Sequence, residues 1–155
     1  MDLHRDFADL CSLLNANGVD FPIVGGYAVA FHGAPRFTGD LDILIYPTIE
    51  QVQRTLTALK QFGFPAEQIA AQDVLQQRRI LQLGRQPVQI HVMTSISGVS
   101  WDSAWESRQA GSYGIVPVFF IGRDALLANK QAAGRAKDLA DVEALRPSHY
   151  SEGPT

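Results

Sequence analysis

Residues 24–46 read VGGYAVAFHGAPRFTGDLDILIY, and two aspartates, Asp40 and Asp42, interrupt the apolar run that closes the stretch. That run constrains the fold more than any other part of the chain. DLDILIY has the composition of an interior strand, and in a strand residues i and i+2 share a face. Asp40 and Asp42 therefore stand side by side, while Leu41 and Ile43 point into a core. Two carboxylates on such a strand are costly unless a proton or a cation compensates their charge. A divalent metal is the simplest remedy, because Mg²⁺ takes only one or two protein carboxylates and completes its shell with water and substrate phosphates. Upstream, Gly25 and Gly26 follow a short apolar strand, FPIV, and lead into a helix. Bare backbone N–H groups and the helix dipole favour an anion there, and glycine lets a phosphate approach the main chain without a β-carbon in the way.

Around this segment the chain alternates helical and extended patterns. Leu3, Phe7, Leu10 and Leu14 recur at helical spacing, and NANG ends that helix with Gly18 in a capping position. YAVAFHG reads as a short helix stopped before Pro35, and Pro47 breaks the DLDILIY strand. Thr48 and Gln51 form a capping-box pattern ahead of Ile49, Val52, Leu56, Leu59 and Phe62 on one helical face. A second short helix is expected within 65–77, then two adjacent strands, RRILQLG and PVQIHVM, joined by a turn. SWDSAWES reads as a helix capped by Ser100, with Trp101 and Trp105 one turn apart as packing residues. YGIVPVFFI is a last strand, part of which Pro117 demotes to an edge. Two helices, 123–133 and 136–145, separate near Gly134, and the tail RPSHYSEGPT is expected to be disordered. The result is one α/β domain over 1–146, a mixed sheet flanked by helices.

Composition narrows the function. The 155 residues carry a net charge of −3, against a broad basic surface for nucleic acid but not against a local basic pocket for a nucleotide. The single cysteine, Cys11, can form no internal disulfide, so a reducing cytoplasm is the expected compartment. Its place in the apolar stripe of the first helix points to packing. The charged start MDLHRDFADL is not expected to act as a signal peptide, and no run is long and apolar enough for a membrane span to be expected.

The arrangement of strand, Gly-Gly, short helix and Asp-h-Asp-h strand (h, apolar) resembles the signature of the DNA polymerase beta-like nucleotidyltransferase superfamily. It stands here as Val24-Gly25-Gly26, thirteen intervening residues, then Asp40-Leu41-Asp42-Ile43. GGYAVAFHGAPRFTGDLDI, TSISGVSWDSAW and LLANKQAAGRAKDLADVEAL also look like small bacterial nucleotidyltransferase-like proteins allied to the AbiEii-type toxins. The resemblance implies a mixed sheet flanked by helices, with Asp40 and Asp42 holding Mg²⁺ (or Mn²⁺) and Gly25 and Gly26 cradling phosphates. It makes Lys130, Arg135 and Lys137 candidates for triphosphate contacts, and Arg36, four residues before Asp40, a candidate for the same site. The expected activity is transfer of a nucleoside monophosphate from an NTP to a hydroxyl. The acceptor is a protein, a tRNA end or a small molecule; the net charge disfavours a large RNA. Each cation also has a plainer reading, as a surface charge or as a partner for Asp138 and Asp141.

Active members of that superfamily carry a third carboxylate on a neighbouring strand. In PVQIHVMTSISG the matching place holds His91, with Gln89 on the same face, and no Asp or Glu occurs between Asp73 and Asp102. Three readings follow. His91 acts itself as ligand or base; a carboxylate from elsewhere, such as Asp102 or Glu106, swings in; or the site binds nucleotide and has lost turnover. The last makes the chain a nucleotide- or partner-binding protein, for example one half of a toxin–antitoxin pair. Hard cations prefer oxygen, which makes histidine the poorer Mg²⁺ ligand.

Overall fold

The computed structural model describes residues 3–34, 39–76, 80–85 and 88–146. In chain order the elements are α1 (Leu3–Ala16), β1 (Pro22–Val24), α2 (Gly25–Phe31), β2 (Asp40–Leu44), α3 (Ile49–Phe62), α4 (Ala71–Gln76) and β3 (Leu81–Arg85). There follow β4 (Val88–Met93), α5 (Trp101–Glu106), β5 (Gln109–Tyr113), β6 (Val116–Phe120), α6 (Arg123–Ala133) and α7 (Ala136–Leu145). The strands form one mixed sheet in the order β3-β4-β2-β1-β6-β5. β2 lies antiparallel to β1 and parallel to β4, and β6 runs parallel to β1.

Strand alternation fixes which residues the core receives. Ile23, Leu41, Ile43, Ile90 and Val92 are buried, and the register sets Ile23 beside Ile43, Leu41 beside Ile90 and Ile43 beside Val92. The apolar stripes of α1 and α3 pack against each other, and Phe7, Leu10, Leu14, Leu56 and Leu59 join the same core. Cys11 is fully buried there, and burial pushes its thiol up to about 12, so it behaves as an apolar side chain.

Two local readings need correction, the Gln51 box and the unforeseen strand at 109–113, while the short helix within 65–77 and the edge character around Pro117 hold. The Thr48 hydroxyl does cap α3, accepting from the Gln51 amide at 3.2 Å, but Gln51 does not close a reciprocal box. Its buried side chain instead accepts from Asp20 N at 2.8 Å and donates to Gly18 O at 3.3 Å. It thereby ties α3 to the turn after α1, where Gly18 has φ +71°. Helix α4 occupies only the second half of the 65–77 stretch. β6 is an interior strand, paired with β1 and β5, although β1 reaches only Phe119 and Phe120, so the Pro117 portion does lack a β1 partner. The edge strand β5 was not expected, because QAGSY has little β-propensity. Its Gly111 makes room for aromatic rings: a β-carbon there would lie 2.8 Å from Phe31 and 2.9 Å from Phe120, whose rings stack at 4.2 Å.

Candidate functional site

The parallel pairing of β2 with β4 sets Asp40 beside Gln89 and Asp42 beside His91. Both aspartates are half-buried on one face while Leu41 and Ile43 are buried on the other, as the alternation requires. Asp40 Oδ1 accepts from Gln89 N at 3.2 Å, and Asp42 Oδ1 meets His91 Nδ1 at 2.7 Å. On the far side of β2, the antiparallel register sets Val24 beside Asp42, which brings Gly25 against the same carboxylate. Gly25 has φ +68°, and a β-carbon there would lie 2.0 Å from Asp42 Oδ2. Asp42 itself therefore demands glycine at 25, through contact and through backbone conformation. Gly26 is buried in the first turn of α2, and Val24 at the N-cap provides no side-chain hydrogen bond to that turn.

His91 completes a short polar chain. Its Nε2 meets Gln89 Oε1 at 3.2 Å, so both ring nitrogens face oxygen acceptors. A proton on Nδ1 is donated to the Asp42 carboxylate, which can only accept. The hydrogen bond to Asp42 raises the His91 pKa above its ordinary value; burial opposes this, Asp42 and Asp40 add to it by charge, and Lys137 subtracts.

Beside Asp42 opens a cleft of about 480 Å³ whose lining includes Gly25, Asp42, Ser95, Ser97, Lys130 and Arg135. Lys130 and Arg135 both line it, but Lys130 is already engaged. It is 7% exposed, and its Nζ lies 3.4 Å from Asp138 and 3.1 Å from Asp141, both buried carboxylates on α7. Arg135 is exposed, at the N-cap of α7, with Nε 2.6 Å from Asp138 Oδ2. Burial alone would raise the Asp138 carboxyl, yet the hydrogen bond from Arg135 and the charges of Lys130 and Arg135 outweigh it and hold it below the usual range. Lys130 is thus a bolt between α6 and α7, and Arg135 the cation with a solvent-facing guanidinium. Lys137 is exposed on α7; it does not line the cleft, though its charge is felt at His91. Arg36 lies outside the described residues. Glu106 faces a groove between α5 and α6 instead, and Asp102 is exposed on α5 outside the cleft lining.

One wall of the cleft was missed in the sequence. The segment after β4 is docked on α6: Asn129 Nδ2 donates to Ser97 O at 2.9 Å, and a β-carbon at Gly98 would lie 2.4 Å from Ala132 Cβ. The helical spacing of Ala128, Asn129 and Ala132 carried no mark of that contact.

Among the described residues no group of three or more His, Cys, Asp and Glu is arranged to hold a metal ion by itself. The donor set fits a different kind of site. Asp40 and Asp42 offer hard carboxylate oxygens on one face, and a Mg²⁺ that brings water and phosphates as its other ligands needs no more from the protein.

No family model and no curated protein matches the chain in sequence. Solved structures do match in fold. One is an antigenic nucleotidyltransferase-like protein from Paracoccidioides brasiliensis, with 18% identity, a TM-score of 0.57, and coverage of 93% of this chain and 75% of that one. Another was solved as a candidate nucleotidyltransferase from Thermotoga maritima, with 14% identity, a TM-score of 0.56, and coverage of 92% and 89%. The chain has a nucleotidyltransferase-like fold. Among its described residues no helix is long and apolar enough to cross a membrane.

Two outcomes follow from the charges. NMR titration of His91 will give a pKa above the ordinary imidazole value, and Asp42→Asn will lower it. Because the folded-state value is raised, the pair stabilises the fold fully below the unfolded pKa and loses that contribution as pH rises through the folded pKa. A His91 pKa unchanged by Asp42→Asn would contradict this. Lys130→Met will remove the buried cation that Asp138 and Asp141 share, leaving Arg135 on Asp138, and cost about 3 kcal/mol in urea unfolding; an unchanged midpoint would show that Lys130 is not the α6–α7 bolt.

Proposed function

We propose that the chain binds a nucleoside triphosphate with Mg²⁺ or Mn²⁺ and transfers its nucleoside monophosphate to a hydroxyl. The observation that carries this reading is the shared face of Asp40 and Asp42 beside the Gly25 turn, with Asp42 lining a cleft that Arg135 also lines. Asp40 and Asp42 would hold the metal, which when bound supplies charge neutralisation on the phosphates. Asp42 Oδ1 is held by His91, which orients the carboxylate and leaves Oδ2 on the Gly25 side. Arg135, braced by Asp138, offsets negative charge on the triphosphate, and the uncapped start of α2 at Gly25 and Gly26 offers backbone N–H groups to it. In the transfer, the acceptor oxygen forms a bond to the α-phosphorus, the bond from that phosphorus to the pyrophosphate oxygen breaks, and the hydroxyl proton passes to solvent. The acceptor is a protein, a tRNA end or a small molecule.

A second reading rests on His91. The imidazole that meets Asp42 at 2.7 Å stands in the place of the superfamily's third acid, and it offers a hard cation a nitrogen where that cation prefers oxygen. That favours a protein that binds nucleotide, or a partner such as the other half of a toxin–antitoxin pair, without turnover.

Incubation with α-labelled NTPs, Mg²⁺ and candidate acceptors separates the two. The transfer reading predicts label on an acceptor and released pyrophosphate, falling by about 100-fold or more in folded Asp40→Asn and Asp42→Asn proteins. Nucleotide binding with no transfer to any acceptor would leave the second reading in its place.

A further inference from the structure

The charged lining of the cleft accounts for phosphates but not for the apolar side chains that share it. Ile80, Met93 and Ile96 line the same cleft as Gly25, Asp42 and Arg135. Met93 continues the face of β4 that carries Gln89 and His91, since residues two apart on a strand share a face. The β3–β4 register, Leu81 beside Val92, sets Ile80 next to Met93 one step beyond the ladder. Ile96 sits in the segment fixed to α6 through Asn129 and Gly98, and it bridges Val99. Ile80 is 53% exposed, while Met93 and Ile96 are half-buried. A lone exposed isoleucine is ordinary. Three apolar side chains converging on a cleft of about 480 Å³ with Asp42 and an arginine are what an amphipathic small ligand requires.

We propose that Ile80, Met93 and Ile96 form the wall against which the nucleobase packs, and that Ile80 determines how much the base adds to affinity. The inference rests on the nucleotide reading above and deepens it. The anionic end of the ligand takes the Asp40–Asp42 end of the strand face through its metal. The flat apolar end takes the Met93 end, about 6–7 Å further along β4. Such a wall discriminates nucleotides from bare polyphosphates by burial, and it tolerates different bases because each presents an apolar face.

Calorimetry with the full chain and Mg²⁺ tests this, using tripolyphosphate and non-hydrolysable α,β-methylene analogues of the four NTPs. Wild type should bind at least one nucleotide about tenfold more tightly than tripolyphosphate. Ile80→Ser should erase most of that difference without changing tripolyphosphate affinity, and Ile80→Phe should keep it. Ile80 is exposed enough that neither change should alter the unfolding midpoint. Equal affinity for tripolyphosphate and every nucleotide, with Ile80→Ser affecting neither, would overturn the wall and leave the nucleotide reading standing. An equal loss for both ligand types in Ile80→Ser would also overturn it. No binding of any of these ligands would bring down the nucleotide reading and the inference together.

Discussion

The Asp42 carboxylate is held on two sides, and the neighbouring structure is arranged around that hold. One oxygen meets His91 on β4, and the other lies where a β-carbon at position 25 would have to be. Both contacts depend on strand register, since β2 must lie antiparallel to β1 and parallel to β4 at one setting. A slip of one residue would turn Asp40 and Asp42 toward the core and Leu41 and Ile43 toward solvent. The buried ladder of Ile23, Leu41, Ile43, Ile90 and Val92 opposes that slip, so the hydrophobic pattern also aims the acids.

Charge is arranged in two separate clusters near the cleft. The first is Asp40, Asp42 and His91 on the sheet; the second is Lys130, Arg135, Asp138 and Asp141 between α6 and α7. In the second cluster two cations face two carboxylates, which satisfies the buried acids and leaves little positive charge to spare. Of these two cations, only Arg135 combines a place in the cleft lining with an exposed side chain. The first cluster is less balanced, two acids against one imidazole, and a ligand bearing a divalent cation would restore it. Lys137 contributes at a distance, opposing protonation of His91.

Much of this was legible in the chain. The Gly25-Gly26 turn, the Asp-x-Asp alternation and the His91 position are local patterns governed by strand periodicity, and the structure places them together. The N-caps at Thr48 and Ser100 followed from side-chain chemistry one turn away. What escaped was set by partners distant in sequence. Gln51 reads as a capping-box residue until the turn near Gly18 and Asp20 claims its amide. That Lys130 pairs with Asp138 and Asp141, one of the two readings open to it, is decided only by α7 folding back. β5 has no strand-like composition and exists because β6 and the Phe31–Phe120 stack accept it.

A crystal structure with Mg²⁺ and a non-hydrolysable NTP tests the central claim most directly. The account predicts a metal ion bound by Asp40 and Asp42, triphosphate oxygens completing its shell beside Gly25, and His91 still holding Asp42. A nucleotide seated away from this face, or an acidic pair that takes no metal at saturating Mg²⁺ and nucleotide, would contradict it.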